Sequence, residues 1–310
     1  MSDHANVVKN LHKSLRNEFK HGISEDEIWD KHIQNKESLQ NYAESMCSLA
    51  KNSWRMDNNN RIKWCLATIS YYYEGGLLKV LRKELKTKKF EDLRSNNIEE
   101  SPEEHQRINF EIENTVFEIE DTKKLLLDVG SCYNPFGETV EYTSIAIDIA
   151  PANEDVIFCD FLNLNFSAVN EAYTQIDDIK TNLKSGSLLT NTFNVVVFSL
   201  LLSYFPSPKQ RLKCCVNASY ALKINGLILI ITPDSSHQNR HQGMMKSWKN
   251  ALEEIGFVRF KYEKLEHLHC MAYRKVKESA ITESLMDALS GSFYIPQDFQ
   301  EVDNESQLQN

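Results

Sequence analysis

Four short stretches, each closing an apolar run, carry side chains suited to a nucleoside ligand. Asp128-Val129-Gly130 sets a glycine where the backbone can turn tightly and approach a ligand with no side chain in the way. Asp148 stands eighteen residues after that glycine. A carboxylate there accepts from both hydroxyls of a ribose, because a charged acceptor suits two neighbouring O–H donors. Asp160 and Phe161 close a third run, offering an acceptor for an exocyclic amine and a ring to pack beside a base. Ser199 closes the fourth and lines the floor. Any one of these reads equally as a strand-end cap. Four fitting types at four successive strand ends read as one ligand site.

The catalytic side is thinner. After Ser199 the chain runs Leu200-Leu201-Leu202-Ser203-Tyr204-Phe205-Pro206, with no strong acceptor to hold a target amine. No catalytic residue is assigned, although a group transfer can run largely on proximity and orientation. Asp234 and His237 suit a base and its orienter in a polar loop. His237, His241, His267 and His269 invite a metal reading, but no carboxylate or cysteine set completes a ligand spacing with them. No metal is expected, and the loop reads as polar surface or as a docking loop.

These residues need a scaffold that brings strand ends level. From Lys123 onward apolar runs alternate with helical spacing: 125–129, 143–149, 156–159, 193–198 and 227–232, with helices expected over 165–183 and 208–223. Unbroken apolar strands of this kind are buried on both faces, the mark of a parallel sheet covered by helices. Gly226 suits a helix end leading into the fifth strand. The last two runs, 257–265 and 268–274, are joined by two residues, which only an antiparallel hairpin permits. In such a sheet ligands sit at the carboxyl ends of the strands. The expected class is therefore α/β: a class I methyltransferase-like Rossmann fold, a parallel sheet ending in an antiparallel hairpin, with an N-terminal helical domain. The expected organisation is a helical domain over 1–90, an acidic linker over 91–121, the ligand-binding domain over 122–275 and a polar C-terminal tail over 276–310. The linker holds eleven acidic residues against two arginines.

The net charge of -9 makes nucleic acid an unlikely partner for the chain as a whole. No apolar run approaches the ~20 residues of a membrane span, and the N-terminus has no apolar signal core. Seven scattered cysteines without a C-x-x-C pair point to reduced thiols, in the cytosol or the nucleus. NAD is the competing ligand, because an acidic residue after the second strand also suits its ribose. Cys132 and Asn134, standing where two further glycines are usual, and the terminal hairpin count against it.

The Asp128-Val129-Gly130 start resembles the first motif of S-adenosylmethionine-dependent methyltransferases. Longer stretches resemble one family closely: Leu125 to Phe136, Val195 to Pro208, Ile231 to His241, Met244 to Lys249, Tyr294 to Phe299, and Arg61-Ile62-Lys63-Trp64-Cys65. They are similar to the SAMTOR family of S-adenosylmethionine sensors upstream of TOR complex 1. The resemblance implies a ligand, S-adenosyl-L-methionine or S-adenosylhomocysteine, held by Gly130, Asp148, Asp160, Phe161 and Ser199. It adds Arg61 as an arginine reaching the ligand's carboxylate. It implies association with the GATOR GTPase-activating complex and KICSTOR when S-adenosylmethionine is low, restraint of TOR complex 1, and release when the ligand binds. It also implies a cytoplasmic place, with partners carrying the protein to the lysosome surface. The fold is similar to a yeast rRNA adenine methyltransferase, so an active enzyme on RNA or protein is the second reading. A methyltransferase-like scaffold without ligand is the third.

Overall fold

A computed structural model describes residues 3–50, 60–119, 123–139, 141–168, 173, 175–234, 241–278 and 280–299. The chain separates into two units, one of Met1–Cys65 with Lys124–Asn310 and one of Leu66–Lys123.

The larger unit is built on a seven-stranded sheet. Its strands are β1 (Lys124–Val129), β2 (Tyr142–Asp148), β3 (Val156–Phe158), β6 (Phe193–Ser199), β7 (Leu222–Pro233), β8 (Phe257–Leu265) and β9 (Leu268–Lys275), in the order β3-β2-β1-β6-β7-β9-β8. The first five are mutually parallel and β9 enters antiparallel between β7 and β8. This is the strand arrangement of class I methyltransferases, as the five apolar runs and the two-residue hairpin predict. Register sets the functional edge. Val129 pairs with Ile147 on one side and Phe198 on the other, so Gly130, Asp148 and Ser199 emerge at one level. The strand interiors are fully buried, from Leu126 and Leu127 through Val195–Phe198 to Leu227–Ile231, as strands covered on both faces must be.

The covering helices are α7 (Ile176–Lys184), α8 (Pro208–Ala221) and α9 (Gln242–Glu254). Ser207 caps α8, its Oγ accepting from the Gln210 N–H at 3.1 Å, with Pro208 at the first helical position. The helix expected over 165–183 is shorter. Asn165–Ser167 forms β4, paired in parallel with β5 (Ser187–Leu189), and α7 starts only at Ile176. Phe166 explains the difference, since it packs edge-on to Phe161 and against Tyr220 rather than on a helical stripe. Gly226 lies inside β7, not at a helix end. A Cβ there would sit 2.8 Å from the Lys223 carbonyl oxygen and 3.0 Å from that of Asn194, so two backbones close on it.

The organisation also differs from expectation at both ends. Helices α1 (Asp3–Lys20), α2 (Glu25–Gln34) and α3 (Lys36–Leu49) belong with the sheet, and Leu15, Ile28 and Trp29 lie in its main core. Their apolar stripes need a partner, and the ligand-binding half supplies it, so 1–90 is not one body. The stretch 276–310 is not simply a polar tail. After α10 (Glu283–Leu289) the chain runs into a 3₁₀ turn, Pro296–Phe299, with Phe293 and Ile295 fully buried. The buried Trp248 indole donates to the Tyr294 carbonyl at 2.9 Å. Arg211 on α8, also fully buried, donates to both Asp298 carboxylate oxygens at 2.6 and 2.8 Å.

The second unit holds α5 (Leu77–Ser95) and α6 (Pro102–Asn114). The stretch expected as an acidic linker contributes the end of one helix and the whole of the other. Leu93, Ile108 and Ile112 bury together, while Lys89–Glu111 and Arg94–Glu100 pair on the outside. The acidic residues face solvent because only one stripe of each helix is apolar. The Gly75–Gly76 break is a π-type turn, Tyr72–Gly76, with Gly75 at φ 140°.

Removing the acidic partner of a buried guanidinium leaves a charge with nothing to neutralise it. Asp298→Ala should therefore lower unfolding free energy by about 3–5 kcal/mol, read from urea denaturation. A loss within ~0.5 kcal/mol, usual for an ordinary surface site, would show that the C-terminal strap unfolds separately.

Candidate functional site

The Gly130 loop is held from both sides. The Gly130 and Ser131 N–H groups donate to the Ile147 carbonyl at 2.9 and 3.1 Å. Gly130 adopts φ 72°, and Cys132 and Asn134 both adopt φ 56°. The two residues standing in place of glycines thus keep the left-handed backbone that glycine would supply. That conformation costs an ordinary side chain about 1–2 kcal/mol, less for Asn. Cys132 is held there by its N–H, which donates to Asp148 Oδ2 at 2.8 Å, and by its Sγ, 3.7 Å from the Ala43 carbonyl oxygen on α3. At Gly130 itself a Cβ would lie 2.7 Å from Leu201 Cδ1, so the loop also needs glycine for space.

Asp148 closes β2 and is half-buried. Its Oδ1 accepts from the Ala150 N–H at 2.7 Å and its Oδ2 from Cys132. Burial raises its pKa, and these backbone donors oppose the rise. The Ile149 N–H also donates to this carboxylate, and about four lone-pair sites on its two oxygens leave room for a further donor. Asp160 caps the 3₁₀ turn Phe161–Asn163, accepting from the Leu162 N–H at 3.1 Å. Its Oδ2 also accepts from Asn163 Nδ2 at 2.8 Å and from the Trp29 indole on α2 at 3.1 Å. Phe161 stands edge-on to Phe198 at 6.0 Å. The Ser199 hydroxyl is buried with no hydrogen-bond partner among the described residues. Leu200, next in the chain, takes φ 67°, a strained conformation for a bulky residue.

Gly130, Asp148, Asp160, Phe161 and Ser199 all line one cavity of about 400 Å³. Its other wall is helical, with Lys9, His12 and Arg16 on α1, Trp29 on α2 and Tyr42 on α3. Tyr204, after β6, packs edge-on to His12 and Trp29, and its hydroxyl meets His32 Nε2. His12 Nε2 lies 3.2 Å from the Tyr42 hydroxyl. The helical wall escapes sequence reading because its aromatic and basic residues sit on stripes indistinguishable from helix–helix packing. The one usable signal is Lys9, His12 and Arg16, three basic groups at helical spacing on a face that also carries Val8 and Leu15.

Arg61 does not line the cavity. Its Nη2 donates to the hydroxyl of Tyr133, three residues after Gly130, at 3.3 Å. Of the polar loop after β7, His237 lies outside the described residues. His241 and His269 converge on Asp234, whereas His267 points away beside Glu266.

A cavity at this edge, with a carboxylate for a diol, an acceptor and ring for a base, and an unsatisfied buried hydroxyl, has the donors and acceptors a nucleoside needs. No protein-family model matches the chain. The chain is 43% identical over 300 residues to the "S-adenosylmethionine sensor upstream of mTORC1" of Xenopus tropicalis, covering 94% of this chain and 74% of that protein. It is 40% identical over 306 residues to the protein of the same name in Danio rerio, covering 96% and 77%. Among solved structures it is similar to a TehB-like SAM-dependent methyltransferase from Corynebacterium glutamicum, with 11% identity, a TM-score of 0.33, and coverage of 62% of this chain and 97% of that one.

Burial lowers the pKa of His12 to about 3 and that of His32 to about 4. An unfolded histidine takes up a proton below about 6.5, and these two stay neutral. Their contribution to stability is present above that pH and is lost as pH falls toward the folded values. Asp128 runs the opposite way, because burial raises its pKa to about 7 from 3.8, so it favours folding less as pH rises across that window. Comparing urea midpoints, the gap between the unsubstituted chain and His32→Asn should shrink from pH 7.5 to pH 5. The gap to Asp128→Asn should change in the opposite sense. Parallel pH curves would refute both assignments.

Proposed function

The chain belongs to the family of S-adenosylmethionine sensors upstream of mTORC1, and from that membership we propose that it binds S-adenosylmethionine in the cavity at the carboxyl edge of the sheet and passes its occupancy to TOR complex 1. The observation that carries this reading is the double wall. Strand ends supply groups suited to the ligand, and α1–α3 of the same unit close the other side. In this reading Asp148 takes the ribose hydroxyls, Asp160 the adenine amine with Phe161 beside the ring, and Gly130 leaves room for the methionine end. Ser199 Oγ donates to the ligand, and Arg61 leaves Tyr133 to pair with the ligand's carboxylate.

The signalling step follows from the shared wall. A ligand shifts an equilibrium only through unequal affinity for two states. Adenine at Asp160 meets the same carboxylate that holds Trp29, so occupancy bears directly on the seating of α2. The empty state associates with the GATOR GTPase-activating complex and KICSTOR and restrains TOR complex 1, and the bound state releases them. By linkage, those partners must weaken ligand binding by the factor with which the ligand weakens theirs.

Isothermal titration with S-adenosylmethionine and S-adenosylhomocysteine tests the pocket. Saturable binding is expected, lost in Asp148→Ala and weakened about tenfold in Arg61→Ala, the scale of one charge-assisted contact. Normal binding by Asp148→Ala would overturn the pocket. Trp29→Phe, which keeps the ring and removes the donor, should bind ligand while partner capture responds less to it. Methyl transfer to total RNA or protein under the same conditions would favour the enzyme reading instead.

A further inference from the structure

Asp234, His241 and His269 come from three separate elements: the residue after β7, the residue before α9, and β9. All three side chains are nearly fully buried, at 2%, 8% and 6% exposure. Asp234 Oδ1 lies 2.9 Å from His269 Nε2 and 3.3 Å from His241 Nδ1, and one potential ligand atom from each residue lies within 4.8 Å of the others. Four-coordinate zinc, with bonds of about 2.0–2.1 Å, holds its ligand atoms roughly 3.3 Å apart. Two edges of the triangle already fall near that value, and the third is no longer than 4.8 Å.

The surroundings suit a cation. The Tyr262 hydroxyl lies 2.9 Å from His269 Nδ1, which orients the ring and leaves Nε2 toward Asp234, as outer-shell partners of metal-bound histidines do. Lys264 Nζ pairs with the other carboxylate oxygen, Oδ2, at 2.5 Å, so Oδ1 is the oxygen that faces both imidazoles. We propose that Asp234, His241 and His269 form a three-ligand site for a zinc-class divalent cation, with water as the fourth ligand, which pins the β8–β9 hairpin and the start of α9 to the end of β7.

The test uses the untagged full-length chain, stripped with a chelator and titrated with zinc or cobalt alone. One equivalent is expected. Cobalt should give the visible absorption of a four-coordinate centre, and zinc should raise the melting temperature where magnesium does not. Asp234→Asn and His269→Gln should abolish the cobalt band, and Tyr262→Phe should weaken zinc binding about 10–100-fold. His267→Gln, on the same turn, should bind as the unsubstituted chain does. Absence of a saturable cobalt band and of a zinc-dependent melting shift in the unsubstituted chain would overturn the site, whatever the variants do. So would a band retained by a cooperatively folded Asp234→Asn.

Discussion

One carboxylate ties the functional edge together. Asp148 receives a backbone N–H from the loop after β1 on one oxygen and from its own loop on the other. Two strands that share only ladder bonds thereby share an endpoint as well. The bond to Cys132 helps hold a non-glycine residue in left-handed backbone, and that conformation in turn fixes the shape of the loop beneath the cavity. The anchor is itself the group with lone pairs left for a diol. The same two oxygens thus fix both the loop after β1 and the start of the loop after β2.

Against that edge the N-terminal helices form a wall, not a separate lobe. Their contacts to it are polar as well as apolar: the Trp29 indole on the Asp160 carboxylate, the His32 imidazole on the Tyr204 hydroxyl and the Arg16 guanidinium on the Ser203 carbonyl. Such bonds are directional, so the wall has one good seating and loses several partners at once when it shifts. A purely greasy face would slide. These directional contacts seat α2 against Asp160 and Tyr204, both of which line the cavity.

The sheet was legible because its strands are unbroken apolar rows and because two residues cannot join parallel neighbours. The five strand-end and loop residues Gly130, Asp148, Asp160, Phe161 and Ser199 were legible for the same reason: strand ends fix their level. Arg61 came from resemblance alone, and the fold seats it on Tyr133 outside the cavity wall. What stayed hidden depends on pairing across long separations. Nothing local marks Trp29 as the partner of Asp160, 131 residues away. Nothing in the spacing of Asp234, His241 and His269 reveals that a hairpin folds back to join them. The C-terminal stretch looked polar because its composition is, although two buried side chains and one buried arginine outweigh that composition. The short β4 was missed because Phe166 fits a helical stripe and a strand equally well.

The strap also bears on how the protein is made. Lys20 on α1 donates to the Gln297 carbonyl at 3.0 Å across 277 residues, and Gln297 lines the same cavity as Arg16. At about 5–20 residues per second, a ribosome takes roughly 15–55 s to deliver that partner after α1 has emerged. Through that interval α1 can pair with α3, but the cavity-facing side of the helix has no finished surface to lie on. The part of the cavity wall that Gln297 contributes is thus completed only once the strap has been translated, long after the helix it meets.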